Sequence, residues 1–345
     1  MSALTGPTLA GARVLVTGGA GFIGSHLVDA LLSRGADSVR VLDNLENGTR
    51  QNLVHLEGDP RFMLQVGDVR SQADRRDALD GVQIVYHLAC LGVRHSLHDP
   101  IENHLVNARG TLDMLMSARE AGVDRFVYVS TSEVFGTAQY APMDERHPTW
   151  PETVYGGSKL AGEAYARAFY RTYGTDTVVV RPFNTYGERS HFEGDSGEVL
   201  PRTIVRLLAG HRPVIFGDGE QTRDFMHVSD TAAALALLGR NPDVAGETIN
   251  LGSGSEVTMN DLCRAVAEAV GRPDLTPEHT EARPGDVRRL IGDPRHMHTL
   301  TGFVPQTDFS AGVDALVRWF RSRDVDGADM MSRIEDRNWL SAVVL

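Results

Sequence analysis

The sequence predicts an α/β fold, a doubly wound parallel sheet, and three observations predict it. Short apolar runs alternate with helix-patterned stretches through the first half of the chain, as βαβ units require. The first run ends in a glycine-rich turn that opens directly into a helix. A composition of 41% hydrophobic and 23% charged residues is that of a globular chain with a sizeable core.

The elements follow in order. Ala12 to Thr17 is apolar and strand-like; after the turn, Phe22, Ile23, Leu27, Val28, Leu31 and Leu32 recur at helical spacing until Gly35. A second strand, Val39 to Leu42, ends at Asp43. Phe62 to Val66, Val82 to Leu88 and Arg125 to Ser130 read as further strands. A long helix, Val154 to Tyr173, precedes the strand Thr177 to Arg181. Beyond Asn184 the pattern loosens: Gly194 to Gly197 is a polar loop, and helices alternate with isolated short strands. The expected division is a Rossmann-type dinucleotide-binding domain over 1–183, a smaller mixed α/β part over 184–322 that mainly binds substrate, and a tail over 323–345.

Composition narrows the function. In 345 residues, 34 Lys and Arg face 46 Asp and Glu; a net charge of −12 argues against nucleic acid as partner, because tracking phosphates needs a basic face. No apolar run reaches the roughly 18 residues of a membrane-crossing helix, and Met1 to Ala12 lacks the pattern of a signal peptide. A cytoplasmic chain with no membrane partner is expected. Cys90 and Cys263 are too few for a disulfide scaffold and not spaced as metal ligands, so core filling in a reducing compartment is expected and no metal.

The glycine turn, Thr17 to Gly24, carries Gly18, Gly21 and Gly24. Glycine permits the tight turn and close backbone approach to a pyrophosphate, and the helix that starts at Phe22 and Ile23 offers amide donors. Asp43 ends the next strand, where a carboxylate, with Asn44 beside it, meets the adenosine ribose. A 2′-phosphate there would face that charge, so NAD is expected over NADP. A structural glycine turn and a helix-start aspartate are the plainer alternative. Asp68 and Val69 are placed at the adenine pocket, or in an ordinary loop.

Tyr155 and Lys159 lie one helical turn apart on one face. A nearby ammonium favours the phenolate, so Tyr155 is a candidate base for a hydroxyl whose carbon gives hydride to a nicotinamide, with Lys159 on the nicotinamide ribose. Thr131, Ser132 and Glu133 follow a parallel strand at its carboxyl end, where open α/β sheets bind ligands. Thr131 can share the substrate proton; Glu133 adds a carboxylate that alcohol oxidation does not require.

With these residues in place, the chain resembles the extended short-chain dehydrogenase/reductase family, specifically its sugar-nucleotide epimerases and dehydratases. The likeness runs from about Val14 to about Phe320. It rests on the glycine turn, His87-Leu88-Ala89, Val106-Asn107 before Gly110-Thr111, Ser130 to Gly136, Tyr155 to Lys159, Arg181 to Asn184, Gln221 to Phe225 and Arg283 to Asp286. The resemblance implies that Tyr155 is the base, Lys159 its partner and Thr131 the hydroxyl orienter. Leu88 and Ala89 are placed on the cofactor. Asn184 and Arg223 are implied to hold the substrate diphosphate, with Arg283 and Asp286 near the nucleoside and Val199 on the substrate; plainer readings make Arg223-Asp224 a surface ion pair and Arg283 a loop charge. A uridine-linked sugar and a homodimer built on Ile101 to Ala121 and Val154 to Tyr173 are also implied.

Two departures from the family pattern bear on the outcome. Dehydratases of thymidine-linked glucose carry Asp then Glu after the active-site Thr, and here Ser132 stands at the Asp position. Many epimerases have small residues where this chain has Glu133. The expected chemistry is transient oxidation at sugar C4, with 4-epimerisation as the outcome, then Glu133-assisted dehydration, then glucuronate decarboxylation. A non-catalytic dinucleotide sensor is the reading from another class. Cys90 and Arg94 are expected along the cofactor or sugar. Arg189 and His191 are candidates for a sugar carboxylate or plain loop groups. His296 and His298 lack a third metal ligand and read as surface residues, and the tail from Asp324 reads as a mobile end or a segment docked on a neighbouring subunit.

Overall fold

The computed structural model describes residues 8–282, 287–323 and 327–334. The first half runs β1 (Arg13–Thr17), α1 (Phe22–Ser33), β2 (Ser38–Asp43), β3 (Phe62–Val66), α2 (Gln72–Leu79), β4 (Ile84–His87), α3 (His95–His98), α4 (Pro100–His104), α5 (Gly110–Glu120), β5 (Arg125–Val129), α6 (Val154–Tyr173) and β6 (Thr177–Pro182). The second runs β7 (Asn184–Tyr186), α7 (Val199–Leu208), β8 (Val214–Phe216), β9 (Thr222–Arg223), β10 (Phe225–His227), α8 (Val228–Leu238), β11 (Thr248–Leu251), β12 (Val257–Thr258), α9 (Met259–Val270), β13 (Glu278–Thr280), β14 (Arg289–Leu290), α10 (Arg295–Thr301), α11 (Phe309–Ser322) and α12 (Gly327–Ser332). A wide π turn, Leu105–Arg109, joins α4 to α5.

Seven strands form one sheet in the order β3-β2-β1-β4-β5-β6-β11, with every neighbouring pair parallel. Side chains alternate across a strand, so a fully buried strand feeds two cores. On β5, Val127 and Val129 join Val14, Val16 and Ile84 on one face, under α1 and α8. Phe126 and Tyr128 join Leu15 and Val85 on the other, under α2, α5 and α6. This is the doubly wound sheet the alternation predicted. Its outermost strand, β11, comes from the stretch where the sequence pattern is loose.

A separate core lies away from the sheet. Leu200, Ile204 and Val205 of α7, Leu262 and Val266 of α9, and Val313, Leu316 and Phe320 of α11 pack together there. Of the tail, α12 packs on this core through buried Met330, and Arg333 pairs with Glu193 at 2.8 Å, so residues 327–334 are docked rather than a mobile end. Residues 335–345 lie outside the described residues. His296 and His298 sit on a helix, α10, not at alternating strand positions; one meets Glu247 and the other the Phe303 carbonyl. Among the described residues no helix is long and apolar enough to cross a membrane.

Candidate active site

A cavity of about 960 Å³ opens along the carboxyl ends of β1, β4, β5 and β6 and continues over β7 and α7. At one end stands the glycine turn. Gly18 takes a left-handed backbone, φ +71°, and a Cβ there would lie 2.8 Å from the Ala89 amide nitrogen. A Cβ on Gly24 would run into the Gly18 carbonyl, so the turn and α1 approach as closely as backbone allows. The 12-residue α1 starts at Gly21 with no side-chain cap and no acid in its first turn. Its amides and positive dipole end are left for an anion, which is what a dinucleotide pyrophosphate needs.

Asp43 lines the same cavity from the end of β2. Its two oxygens accept from the Ala20 and Leu45 amides, each at 2.8 Å. Burial pushes its carboxyl up while those amides pull it back. Asn44, Asp68 and Val69 line this end as well. Asp68 is already engaged by Arg70 at 2.7 Å and by Asn44, which makes it a support for the wall as much as a ligand group. Phe22, Ile23, Leu88 and Ala89 complete the cradle.

The reaction centre forms where β5 meets α6. Thr153 caps α6 by accepting from the Gly156 amide at 3.1 Å, which places Tyr155 in the first turn and Lys159 one turn on. A Cβ on Gly156 would stand 2.8 Å from the Glu133 carbonyl, so the short turn 132–134 lies close against the first turn of α6. Thr131, Ser132, Glu133, Tyr155 and Lys159 all line the cavity. Burial holds the Tyr155 phenol well above its ordinary value, the Cys90 and Glu133 side adds to that, and the Thr131 hydroxyl draws it down by hydrogen bonding. Lys159 donates to the Val129 carbonyl at 2.7 Å and lies 4.6 Å over the Tyr128 ring. Burial lowers its ammonium. The expected near-neutral phenol is therefore not a property of Tyr155 and Lys159 alone, because both sit where burial disfavours charge.

The remaining motifs support this centre. His87 is fully buried, meets Thr17 at 2.7 Å and Thr111 at 3.1 Å, and is pushed down to about 3 by burial and the Lys159 charge, so it stays neutral. Asn107 holds both the amide and the carbonyl of Leu91 and reaches Ser158 at 3.2 Å. The wall after β4 is thereby tied to α6.

Across the cavity, Asn184, Arg223, Arg94 and Val199 take their expected places in the lining. The Asn184 side-chain oxygen is buried with no hydrogen-bond partner among the described residues. Arg223 is held by the Thr222 and Val287 carbonyls at 2.8 and 2.7 Å. It does not pair with Asp224, which instead accepts from Ser253, Gly254 and Gly292. His191 and Cys90 also line the cavity. Arg189 does not: its left-handed backbone, φ +65°, turns it to Asp29 of α1 at 2.9 Å. Its expected substrate contact is thus corrected. Arg283 and Asp286 lie outside the described residues. Sequence reasoning missed Glu198, Arg202 and Arg206, which α7 and its cap bring to the lining. Burial pushes the Glu198 carboxyl up to about 8, with Arg94 pulling it back. Only the packing of α7 on α9 points these residues inward, and no motif marks them.

A profile described as the NAD dependent epimerase/dehydratase family matches residues 14–252. A UDP-glucose 4-epimerase of Mycolicibacterium smegmatis is 37% identical over 315 residues, covering 90% of this chain and 99% of that protein. The chain belongs to this family. UDP-glucuronic acid decarboxylase 1 of Arabidopsis thaliana is 36% identical over 90% of this chain and 70% of its own length. The crystal structure of a dTDP-glucose 4,6-dehydratase from Streptomyces venezuelae, solved with NAD bound, superposes with a TM-score of 0.84 at 34% identity, covering 90% of this chain and 97% of that one. Members of the family are NAD-dependent enzymes acting on sugar nucleotides, and three outcomes are represented at similar distance. The expectations of fold, family and cofactor hold.

Proposed function

We propose that the protein oxidises the C4 hydroxyl of a nucleoside-diphosphate sugar, uridine-linked, to a 4-keto intermediate and reduces it on the opposite face, a 4-epimerisation. The observation that carries this is the placement of Thr131, Tyr155 and Lys159 on one cavity, between the glycine cradle and the Asn184–Arg223 side. Residues 1–183 then carry cofactor and chemistry, and 184–322 mainly the nucleotide sugar.

NAD, when bound, supplies the carbon that accepts and returns hydride, and a positive nicotinamide also favours the phenolate. Gly18, Gly21 and the α1 amides hold its pyrophosphate, and Asp43 its adenosine ribose. Thr131 orients the C4 hydroxyl, and the Tyr155 oxygen takes its proton and returns it. Asn184 and Arg223 hold the diphosphate, the first through its amide NH₂ and the second through its guanidinium. Ser132 cannot protonate a leaving C6 hydroxyl as an acid would, which favours epimerisation.

Dehydration is the second reading, because Glu133 lines the cavity beside Tyr155, where a carboxylate can remove the C5 proton of a 4-keto sugar. A homodimer belongs to the proposal: Ile101, Leu105 and Met116 on α4, the π turn and α5, and Val154, Tyr170 and Tyr173 on α6, are exposed apolar groups on neighbouring helices. The cytoplasm fits two free cysteines, Cys90 and Cys263. The test is incubation of uridine-, thymidine- and guanosine-linked sugars with the enzyme in deuterated water, followed by product mass. Epimerisation leaves the mass unchanged with no deuterium at C5. Loss of water with deuterium gain would give Glu133 the base role, loss of carbon dioxide from a glucuronate would mean decarboxylation, and no turnover would favour a sensor.

A further inference from the structure

One turn beyond Lys159 on α6, Glu163 is fully buried. A buried carboxylate is costly unless paired, and this one is paired completely. One oxygen accepts from the Ser130 hydroxyl at 2.6 Å and from Arg181 Nε at 2.9 Å. The other accepts from Arg181 Nη2 at 2.8 Å and from Arg167 at 3.0 Å. Burial pushes its carboxyl up, but the Arg181 hydrogen bonds and charge, with Ser130 and Arg167, hold it below the ordinary value, so it is ionised.

The place of Ser130 gives this cluster its meaning. Val129, just before it, supplies the carbonyl that takes the Lys159 ammonium; Thr131, just after it, supplies the hydroxyl at Tyr155. The Ser130 amide also donates to the Val180 carbonyl at 2.6 Å, which docks the strand end on β6 beside Arg181. One carboxylate thus clamps three elements, the ends of β5 and β6 and the middle of α6, at the residue between the two acceptor and donor positions of the reaction centre. It is also a negative charge that raises the Lys159 ammonium against the burial that lowers it.

We propose that Glu163 is a positioning residue of the reaction: it holds Thr131 in register with Tyr155 and keeps the Lys159 ammonium charged in its buried seat. The proposal rests on the reading of Tyr155 as the base. The groups around Glu163 are Tyr128 from β5 and Ser130 just after it, Arg181 from β6, and Lys159 and Arg167 from α6 itself; around Lys159 they include His87 at the end of β4 and Cys90 after it. His87 stays neutral through the working range, so it adds no positive charge against Lys159 when Glu163 is replaced.

The test is the pH dependence of kcat for Glu163→Gln, measured with NAD content and KM for the sugar nucleotide. With Glu163 neutral, Lys159 loses the negative charge that offsets its burial. Less ammonium at neutral pH means less phenolate, so the acid limb of the profile is expected to move up by about one pH unit, with kcat at pH 7 lower by about tenfold. Bound NAD and KM are expected within about twofold of the unaltered protein, and Glu163→Asp, which keeps the charge, is expected to restore most of the profile. A Gln profile that superimposes on the unaltered one overturns the proposal, however far stability falls. Ser130→Ala, which leaves the Arg181 pair intact, is the second variant should Gln fail to fold. It is expected to lower kcat severalfold with KM and profile unmoved, and an unchanged kcat there overturns the positioning role. Tyr155→Phe separates the two readings: if it stays active, the base assignment fails; if it is dead while the Glu163→Gln profile is unmoved, only this inference fails.

Discussion

The cofactor end and the substrate end of the cavity are built by different means. Around Gly18 to Gly24 and Asp43 the binding groups are backbone amides of one βαβ unit, held within some 30 residues of sequence. Across the cavity Asn184, Glu198, Arg206 and Arg223 come from three separate pieces, β7, α7 with its cap, and β9, each carried by its own packing contacts. A site made of local backbone geometry is specific about the ligand class and tolerant of side-chain change. A site made of delivered side chains changes substrate when one side chain or one loop changes.

Four measurements break or sharpen the comparison. The largest effect is expected where the two ends meet: Tyr155→Phe removes the oxygen proposed to take the C4 proton, and kcat should fall by about a hundredfold or more, with NAD content unchanged. Activity within a few-fold of normal would remove Tyr155 from the chemistry. At the cofactor end, Asp43→Ala should narrow the preference for NAD over NADP by on the order of tenfold, read from titrations with both dinucleotides. Tighter NADP binding by the unaltered protein would mean that this carboxylate does not read the ribose.

At the substrate end the expected effect is smaller and depends on pH. Glu198 is raised to about 8 by burial, so it is neutral at pH 7 and becomes a carboxylate above pH 8 on the wall proposed to face the diphosphate. KM for the sugar nucleotide should therefore rise roughly threefold between pH 7 and 9, and Glu198→Gln should flatten that rise. A rise that persists in the Gln variant would assign it to another group. The smallest effect belongs to Arg189→Ala. Its ion pair with half-buried Asp29 lies outside the cavity, so KM should stay within about twofold and stability should drop by at most about 1 kcal/mol. A tenfold rise in KM would return Arg189 to the substrate.

Much of the site was legible because its groups are close in sequence. The spacing of Tyr155 and Lys159 is one helical turn whatever the tertiary context, and the Val154–Tyr173 helix has the expected bounds, with Thr153 capping its start and Gly174, at φ +67°, ending it. Strand ends shifted by a residue or two, as at Ile84–His87, where flanking apolar residues leave the pairing. For Arg189 the geometry matches the loop reading and not the substrate one, for a local reason that sequence does not display: Gly187 and Arg189 both take unusual backbone, and the turn faces α1 rather than the cavity. The protonation of Tyr155 was beyond the sequence too, since burial is a sum over neighbours from α6, β5 and the segment after β4.

What the sequence determined by itself is the parallel sheet, the dinucleotide cradle and the trio Thr131, Tyr155 and Lys159, because periodicity, turn chemistry and helical spacing act within a few residues of each other. What only the tertiary structure decided is which distant groups reach the cavity and in which charge state. Glu198 arrives on the cap of α7, and Glu163 becomes a clamp because β5 and β6 lie side by side with α6 across them. Such partners are set by packing, and their charges by the water that packing excludes, neither of which is written in the order of the residues.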